Sequence, residues 1–191
     1  MCHRIWYTKY ALERARWKFG LIEDIEPLAQ GTINPDDLAV ILSGQGGSLV
    51  MREAKWGFAG REGGLVINAR SESIFAKPMF SSSALYRRCV VPAETFFEWD
   101  PRKNKVGFQQ KDGELMYLAG LWKLSEDETR FVVITAPANK SVSDVHDRMP
   151  LLIGEEETKA WIFDEDAARE LLKKQLPDLV QIREEEQLSL L

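Results

Sequence analysis

Position 2 of the 191-residue chain is a cysteine. Methionine excision acts where the second residue is small, and here it would leave Cys2 carrying both a free α-amine and a thiol. An α-amine has a pKa of about 7.7 to 8.0 against about 10.4 for lysine, so near neutral pH about a quarter of it is uncharged, compared with about a thousandth of a lysine. Such an amine attacks an aldehyde carbon to give an imine, and the neighbouring thiol can close onto the same carbon as a five-membered thiazolidine ring. A cysteine that happens by chance to follow the first methionine would look the same, so the chemistry needs partners elsewhere in the chain.

Groups that move protons near neutral pH are scarce, because His3 and His146 are the two histidines. His146 comes after an apolar run that ends Thr135-Ala136-Pro137. It is therefore expected on a loop beside a sheet end, where function is often carried, with a hydrogen-bonded structural histidine as the plain alternative. Glu98 stands in Phe96-Phe97-Glu98-Trp99. Strand alternation puts Phe96 and Glu98 on one face, Phe97 and Trp99 on the other. If the first face is buried, desolvation lifts the carboxyl into a useful acid–base range; if it is a sheet edge, Glu98 is a solvated side chain.

Asn68 and Arg70 follow Leu65-Val66-Ile67, so an amide and a guanidinium meet at a strand end. They could orient a sugar and a phosphate there, although a turn asparagine and a surface arginine share the pattern. Cys89, within Arg88-Cys89-Val90-Val91-Pro92, reads as a buried structural thiol. Cys2, His3, Cys89 and His146 lack the paired ligand spacing of a zinc site, so neither metal nor cofactor is expected.

Elements must position these groups. Good helix formers over 10–19, closed by Gly20, predict a short amphipathic helix. Runs at 38–42 and 49–52 flank Ser43-Gly44-Gln45-Gly46-Gly47-Ser48 and suggest a loose hairpin. Further strands are expected at 65–69, 95–99, 106–110, 115–121 and 130–135, joined in part by turns at 100–104 and 111–113, as an antiparallel meander. Segment 155–172 reads as one or two helices begun by Glu155-Glu156-Glu157 at the favourable end of the helix dipole. No repeat or linker divides the chain, which is taken as one domain.

The formal net charge is −5 and the composition 45% apolar. That balance excludes an indiscriminate nucleic-acid coat, since such binding rests on Lys and Arg. It is unevenly spread. Segment 155–191 holds eleven acids against five bases, net −6, which leaves +1 for residues 1–154, and residues 1–20 set five bases against Glu13 alone. Those charges fit a local basic face or a solvated helix equally well. No signal pattern opens the chain, no apolar run approaches the roughly eighteen residues of a membrane span, and two cysteines make no disulfide framework; a soluble cytoplasmic protein is expected.

Taken in order, the segments resemble the SRAP family, the SOS response-associated peptidases or abasic-site processing proteins, from Cys2 to about Pro150. The family start Met-Cys-Gly-Arg appears as Met1-Cys2-His3-Arg4. Trp56-Gly57-Phe58, Ile67-Asn68-Ala69-Arg70-Ser71-Glu72, Lys77-Pro78-Met79-Phe80, Arg87-Arg88-Cys89-Val90-Val91-Pro92-Ala93, Phe96-Phe97-Glu98-Trp99 and His146-Asp147-Arg148-Met149-Pro150 follow. His3 replaces the family's glycine, and the tryptophan motif lacks the usual proline and second tryptophan.

The resemblance implies a DNA-damage protein in which Cys2, Asn68, Glu98 and His146 form a covalent adduct with abasic sites in single-stranded DNA. Arg4, Arg70, Lys77 and Arg148 are the expected phosphate contacts, Arg87 and Arg88 weaker ones, and Trp56 and Phe58 the stacking aromatics. Self-removal of Met1 and strand cleavage through the imine are implied as secondary activities, and a monomer is expected. The expected fold is α+β, one domain with a mainly antiparallel, curved, barrel-like sheet and flanking helices. Two rivals from other classes remain: an N-terminal-cysteine peptidase acting on proteins with His146 as base, and a non-catalytic nucleic-acid or partner-binding module.

Overall fold

The computed structural model describes residues 2–21, 30–60, 63–125 and 128–183. The expectations that rest on Met1 and on positions 184–191 of the acidic segment lie outside the described residues. Gly46 and Gly47 hold φ of 56° and 81°, so the chain reverses in two residues between β3 (Leu38–Gln45) and β4 (Ser48–Trp56), with Gln45 facing Ser48. Positive φ at both central positions defines a tight hairpin turn that glycine accepts without strain. The loose six-residue loop expected from sequence is thus corrected: the flanking strands run on through the polar residues.

Five strands close on themselves. β12 (Glu128–Pro137) lies beside β4, β4 beside β3, β3 beside β8 (Arg88–Ala93), and β8 beside β11 (Met116–Ser125), which pairs back to β12. Every contact in this ring is antiparallel except β4 with β12, which run parallel, Phe131 opposite Trp56. Closure removes the free edges and bears out the barrel-like reading. β7 (Asn68–Arg70) and β13 (Arg148–Pro150) extend the ladder of β12, and β14 (Leu152–Ile153) that of β11. A two-stranded sheet joins β5 (Phe58–Ala59) and β6 (Leu65–Val66).

A second, open sheet orders β2 (Gly31–Ile33), β1 (Arg4–Tyr7), β9 (Thr95–Trp99), β10 (Lys105–Gln109) and β15 (Val180–Arg183), all antiparallel. The expected meander therefore breaks after β10. The turn at Gly113, φ 70°, carries the chain out of the open sheet and into the barrel. Residues 180–183, beyond the helices expected over 155–172, return as an edge strand on β10.

Helix α1 (Lys9–Lys18) is capped by Thr8 Oγ1, which accepts from Ala11 N at 3.1 Å, and it buries Ala11, Leu12 and Ala15. Helix α2 (Pro78–Tyr86) was not expected from its serine run; Pro78 starts it, where a missing N–H costs nothing. The acidic triplet sits ahead of α3 (Thr158–Phe163), and it is α4 (Glu165–Leu171) that carries acids in its first turn and a side-chain cap from Asp164. Among the described residues, no helix is long and apolar enough to cross a membrane.

One contiguous core runs from Ile5, Phe96 and Phe108 of the open sheet to Trp56, Phe131 and Trp161 around the barrel. Its tightness is measurable at Gly120, where an added Cβ would stand 2.9 Å from the Val132 carbonyl and 3.0 Å from Cys89 Sγ. Gly120→Ala should cost about 1 to 3 kcal/mol of stability by overpacking. A denaturant midpoint equal to that of the wild type would show that β11 and β12 can part without penalty.

Candidate active site

Cys2 lies just before β1, fully buried. Asn68, at the start of β7 and opposite Val133 of β12, donates from Nδ2 to the Cys2 carbonyl at 2.8 Å. The barrel wall thus grips the backbone of the N-terminal residue through an amide. Asn68 Oδ1 is buried without a hydrogen-bond partner among the described residues. The Cys2 thiol is pushed well above the ordinary thiol range, first by burial and then by the Glu98 charge. It therefore rests as a neutral thiol, its Sγ 3.8 Å from the Arg4 carbonyl.

Glu98 reaches the same place through strand pairing. β1 and β9 run antiparallel with Arg4 opposite Phe97, so residue 98 lies beside the start of β1. The alternation read from sequence holds, with Phe96 and Glu98 buried and Glu98 only 1% exposed. Burial pushes its carboxyl up to about 7, opposed by the positive charge of the chain terminus and raised further by Asp147. A carboxyl titrating near neutral pH can both take and return a proton.

His146 sits on the connection between β12 and β13, as expected, with its side chain 25% exposed. Its Nδ1 accepts from the Arg148 backbone N–H at 3.0 Å, and Asp147 Oδ1 lies 2.9 Å from the same nitrogen. The two contacts ask for opposite protonation: the first needs a lone pair on Nδ1, the second a proton. Burial, and after it the chain terminus, pull the imidazole pKa down. The neutral ring with Nδ1 accepting and the proton on Nε2 is therefore the state assigned from the bonding. Asn68 bonds Cys2 directly, the Glu98 carboxyl lies near enough for its charge to act on the Cys2 thiol, and Asp147, next in the chain to His146, near enough for its charge to act on Glu98.

Beside Asn68 opens a cleft of about 530 Å³, lined also by Arg70, Lys77 and the apolar Val66, Pro78, Met79 and Phe80. Arg70 and Lys77 are exposed. Arg4 bonds Asn34 Oδ1 at 3.0 Å and lays its guanidinium over Trp99, 5.2 Å from the ring centroid. Trp99, on the opposite face of β9 from Glu98, lies under the Arg4 guanidinium and was not singled out from sequence. Val66, Pro78 and Met79 carried no such signal, because only the meeting of β6 with α2 makes them a cleft.

Three expectations are corrected. Trp56 is fully buried, donates from Nε1 to the Ile67 carbonyl at 2.9 Å and stacks on Phe131, so it fixes the approach to Asn68 and cannot stack on a base. Phe58 is likewise buried, against Phe80, and supports the cleft from beneath. Arg148 is 8% exposed, with its guanidinium held by both Glu72 carboxylate oxygens and the Thr135 carbonyl. That pairing holds the Glu72 carboxyl down to about 2. Among the weaker candidates, Arg88 is buried, donating to the Trp161, Ala84, Leu85 and Ile162 carbonyls, and Arg87 bonds Ser82.

The contrast between arginines is testable. Arg148→Ala removes several bonds to a charged group, offset because Glu72 is half exposed to water, and should destabilise by about 2 kcal/mol. Arg70→Ala should stay within about 0.5 kcal/mol of the wild type in thermal melting while weakening binding of single-stranded DNA. The reverse ranking would return Arg148 to the ligand face.

Comparison with known proteins follows the same line. A family model described as SOS response associated peptidase (SRAP) matches residues 1–189. Abasic site processing protein YoqW of Bacillus subtilis strain 168 is 35% identical over 106 residues, 51% of this chain and 47% of that protein. Abasic site processing protein YedK of Escherichia coli K12 is 26% identical over 156 residues, covering 77% of this chain and 70% of the relative. The chain spans about half the length of the Bacillus subtilis relatives it matches. The crystal structure of a protein from Bordetella bronchiseptica superposes with a TM-score of 0.81 at 19% identity, over 95% of this chain and 99% of that one, which is a likeness of fold.

Proposed function

Because the chain belongs to the SRAP family, we propose that it processes abasic sites by capturing them in single-stranded DNA as a covalent adduct on Cys2 once Met1 has been removed. The observation that carries this reading is the 2.8 Å bond from Asn68 to the Cys2 carbonyl, made beside a buried carboxyl that titrates near neutrality. That bond holds the backbone of Cys2, and the Glu98 carboxyl, whose charge acts on the Cys2 thiol, supports the role of proton carrier given to it here.

In the proposed sequence the abasic deoxyribose opens to its aldehyde: the anomeric hydroxyl gives up its proton as the ring carbon–oxygen bond breaks, a solvent water carries that proton to the ring oxygen, and the Nε2–H of neutral His146 hydrogen-bonds to the same oxygen and so assists its departure. The freed Cys2 amine then attacks the aldehyde carbon. Glu98 takes a proton from the nitrogen and gives one to the departing hydroxyl, so water leaves and a carbon–nitrogen double bond remains. The thiol adds across that bond: sulfur joins carbon, and the thiol proton moves to nitrogen through Glu98. The net change is one thiazolidine formed and one water released. Burial of the thiol fits this order, since a neutral thiol waits while the amine reacts first. Arg70 and Lys77 draw the strand along the cleft, and Trp99 takes the stacking role that Trp56 and Phe58 cannot fill. Self-removal of Met1 and strand cleavage through the imine belong to the same reading as lesser activities.

The experiment is incubation with a single-stranded oligonucleotide holding one abasic site, followed by a denaturing gel. A slow band that survives denaturation is expected from protein with Cys2 freed and not from protein that retains Met1, whose amide nitrogen cannot attack. Turnover of a peptide substrate, or non-covalent DNA binding alone, would replace this reading by one of its rivals.

A further inference from the structure

The outer face of the open sheet carries a groove of about 350 Å³ that the proposed reaction does not use. Ile5, Phe96 and Phe108 point inward and are fully buried, so alternation turns Trp6, Phe97 and Gly107 outward. Gly107 forms the floor: a Cβ there would stand 3.2 Å from both the Phe97 ring and the Thr95 methyl. Gln109 Nε2 donates to Thr95 Oγ1 at 2.8 Å along one side. Among the described residues, the lining holds one cation, Lys105, and no carboxylate.

Register brings this outer face to the start of β1, two residues from Cys2. Arg4 lies opposite Phe97 and Lys105 opposite Trp99. Two rings on adjacent steps of β9 are therefore each covered by a cation, Trp99 by Arg4 at 5.2 Å and Phe97 by Lys105 at 5.3 Å. Aromatic faces in series with positive charge, and no carboxylate among the described lining residues, are the chemistry of a single-strand binding platform, tolerant of sequence because every base has a flat face. We propose that the nucleotides flanking the abasic position run from Trp99 across Phe97 to Trp6, with the Lys105 ammonium leaving the Phe97 ring for a phosphate as a base takes its place. This rests on the reading of the substrate as single-stranded DNA.

The test uses the protein freed of Met1 and strands of five and fifteen nucleotides holding a tetrahydrofuran abasic analogue. The analogue has no aldehyde, so binding is measured apart from capture. Affinity should rise with length, and Trp6→Ala should remove about tenfold of it for the long strand while leaving the short strand bound as before. Lys105→Ala should lower the slope of log affinity against log salt by about 1 on the long strand. Thermal melting of both variants checks the fold, and 5-iodouracil in the flanking nucleotides should label peptides containing Trp6 or Phe97. Length-independent affinity, labelling confined to residues 65–80, or a groove better filled by a protein partner would overturn the assignment. Loss of covalent capture with length-dependent binding intact would instead remove the capture reading alone.

Discussion

Cys2→Ala should abolish the adduct that survives denaturation, the largest change in activity expected from any single substitution. Alanine at position 2 also permits methionine removal, so the variant keeps a free α-amine beside Asn68, Glu98 and His146. It can still form an imine, but an imine returns to amine and aldehyde in water and leaves no band. Borohydride reduction during the reaction should restore the band for Cys2→Ala, since a reduced imine cannot revert. That rescue separates loss of the thiol from loss of the fold. Cys2→Ser should give at most a labile adduct, because a hydroxyl closes the ring less favourably than sulfur. A stable adduct on Cys2→Ala without reductant would place the nucleophile elsewhere.

Residue pattern gave the barrel-like, mainly antiparallel fold class, and it gave local facts about single residues more readily than their meetings. Glu98 was legible because alternation is a local rule, and the structure keeps Phe96 and Glu98 on one buried face. The loop position of His146 followed from the strand that precedes it. The grouping of Cys2, Asn68 and Glu98 came only through the family resemblance and not from local pattern, since it depends on β1 pairing with β9 across about ninety residues and on β7 lying parallel to β12. Parallel and long-range pairings have no local signature, and the same gap hid the closure of the barrel through β4 and β12. The misplaced residues share one physical cause. Trp56, Phe58 and Arg148 stand in recognisable motifs, but motif membership does not say which side of a wall a side chain takes. A tryptophan whose Nε1 meets a carbonyl, and an arginine whose fork meets Glu72, are satisfied inside.

Glu98→Gln should slow capture by about 10² to 10⁴-fold and at the same time make the protein more stable above neutral pH. The carboxyl has an ordinary value near 4.5 and is raised by burial to about 7 in the folded chain. Between those values the unfolded chain ionises while the folded one holds its proton, so the folded state binds more protons and stability falls as pH rises. The stabilising contribution is whole below about pH 4.5 and lost by about pH 7. A gap of that size amounts to about 3 kcal/mol. The glutamine amide does not titrate, so the variant's advantage in denaturant midpoint should be small at pH 5, grow up to about pH 7 and stay level beyond. In the wild type the capture rate should carry a step from the Glu98 carboxyl, above the ordinary carboxylate range because of burial, that the glutamine variant lacks. A stability difference that ignores pH would mean that Glu98 is ionised in the folded protein throughout this range, and the proton-carrying role given to it would then have to pass to His146. If both signatures appear together, the carboxyl is held in the wall between β1 and β9 at the expense of stability, which is what a group kept ready to exchange protons with the Cys2 amine requires.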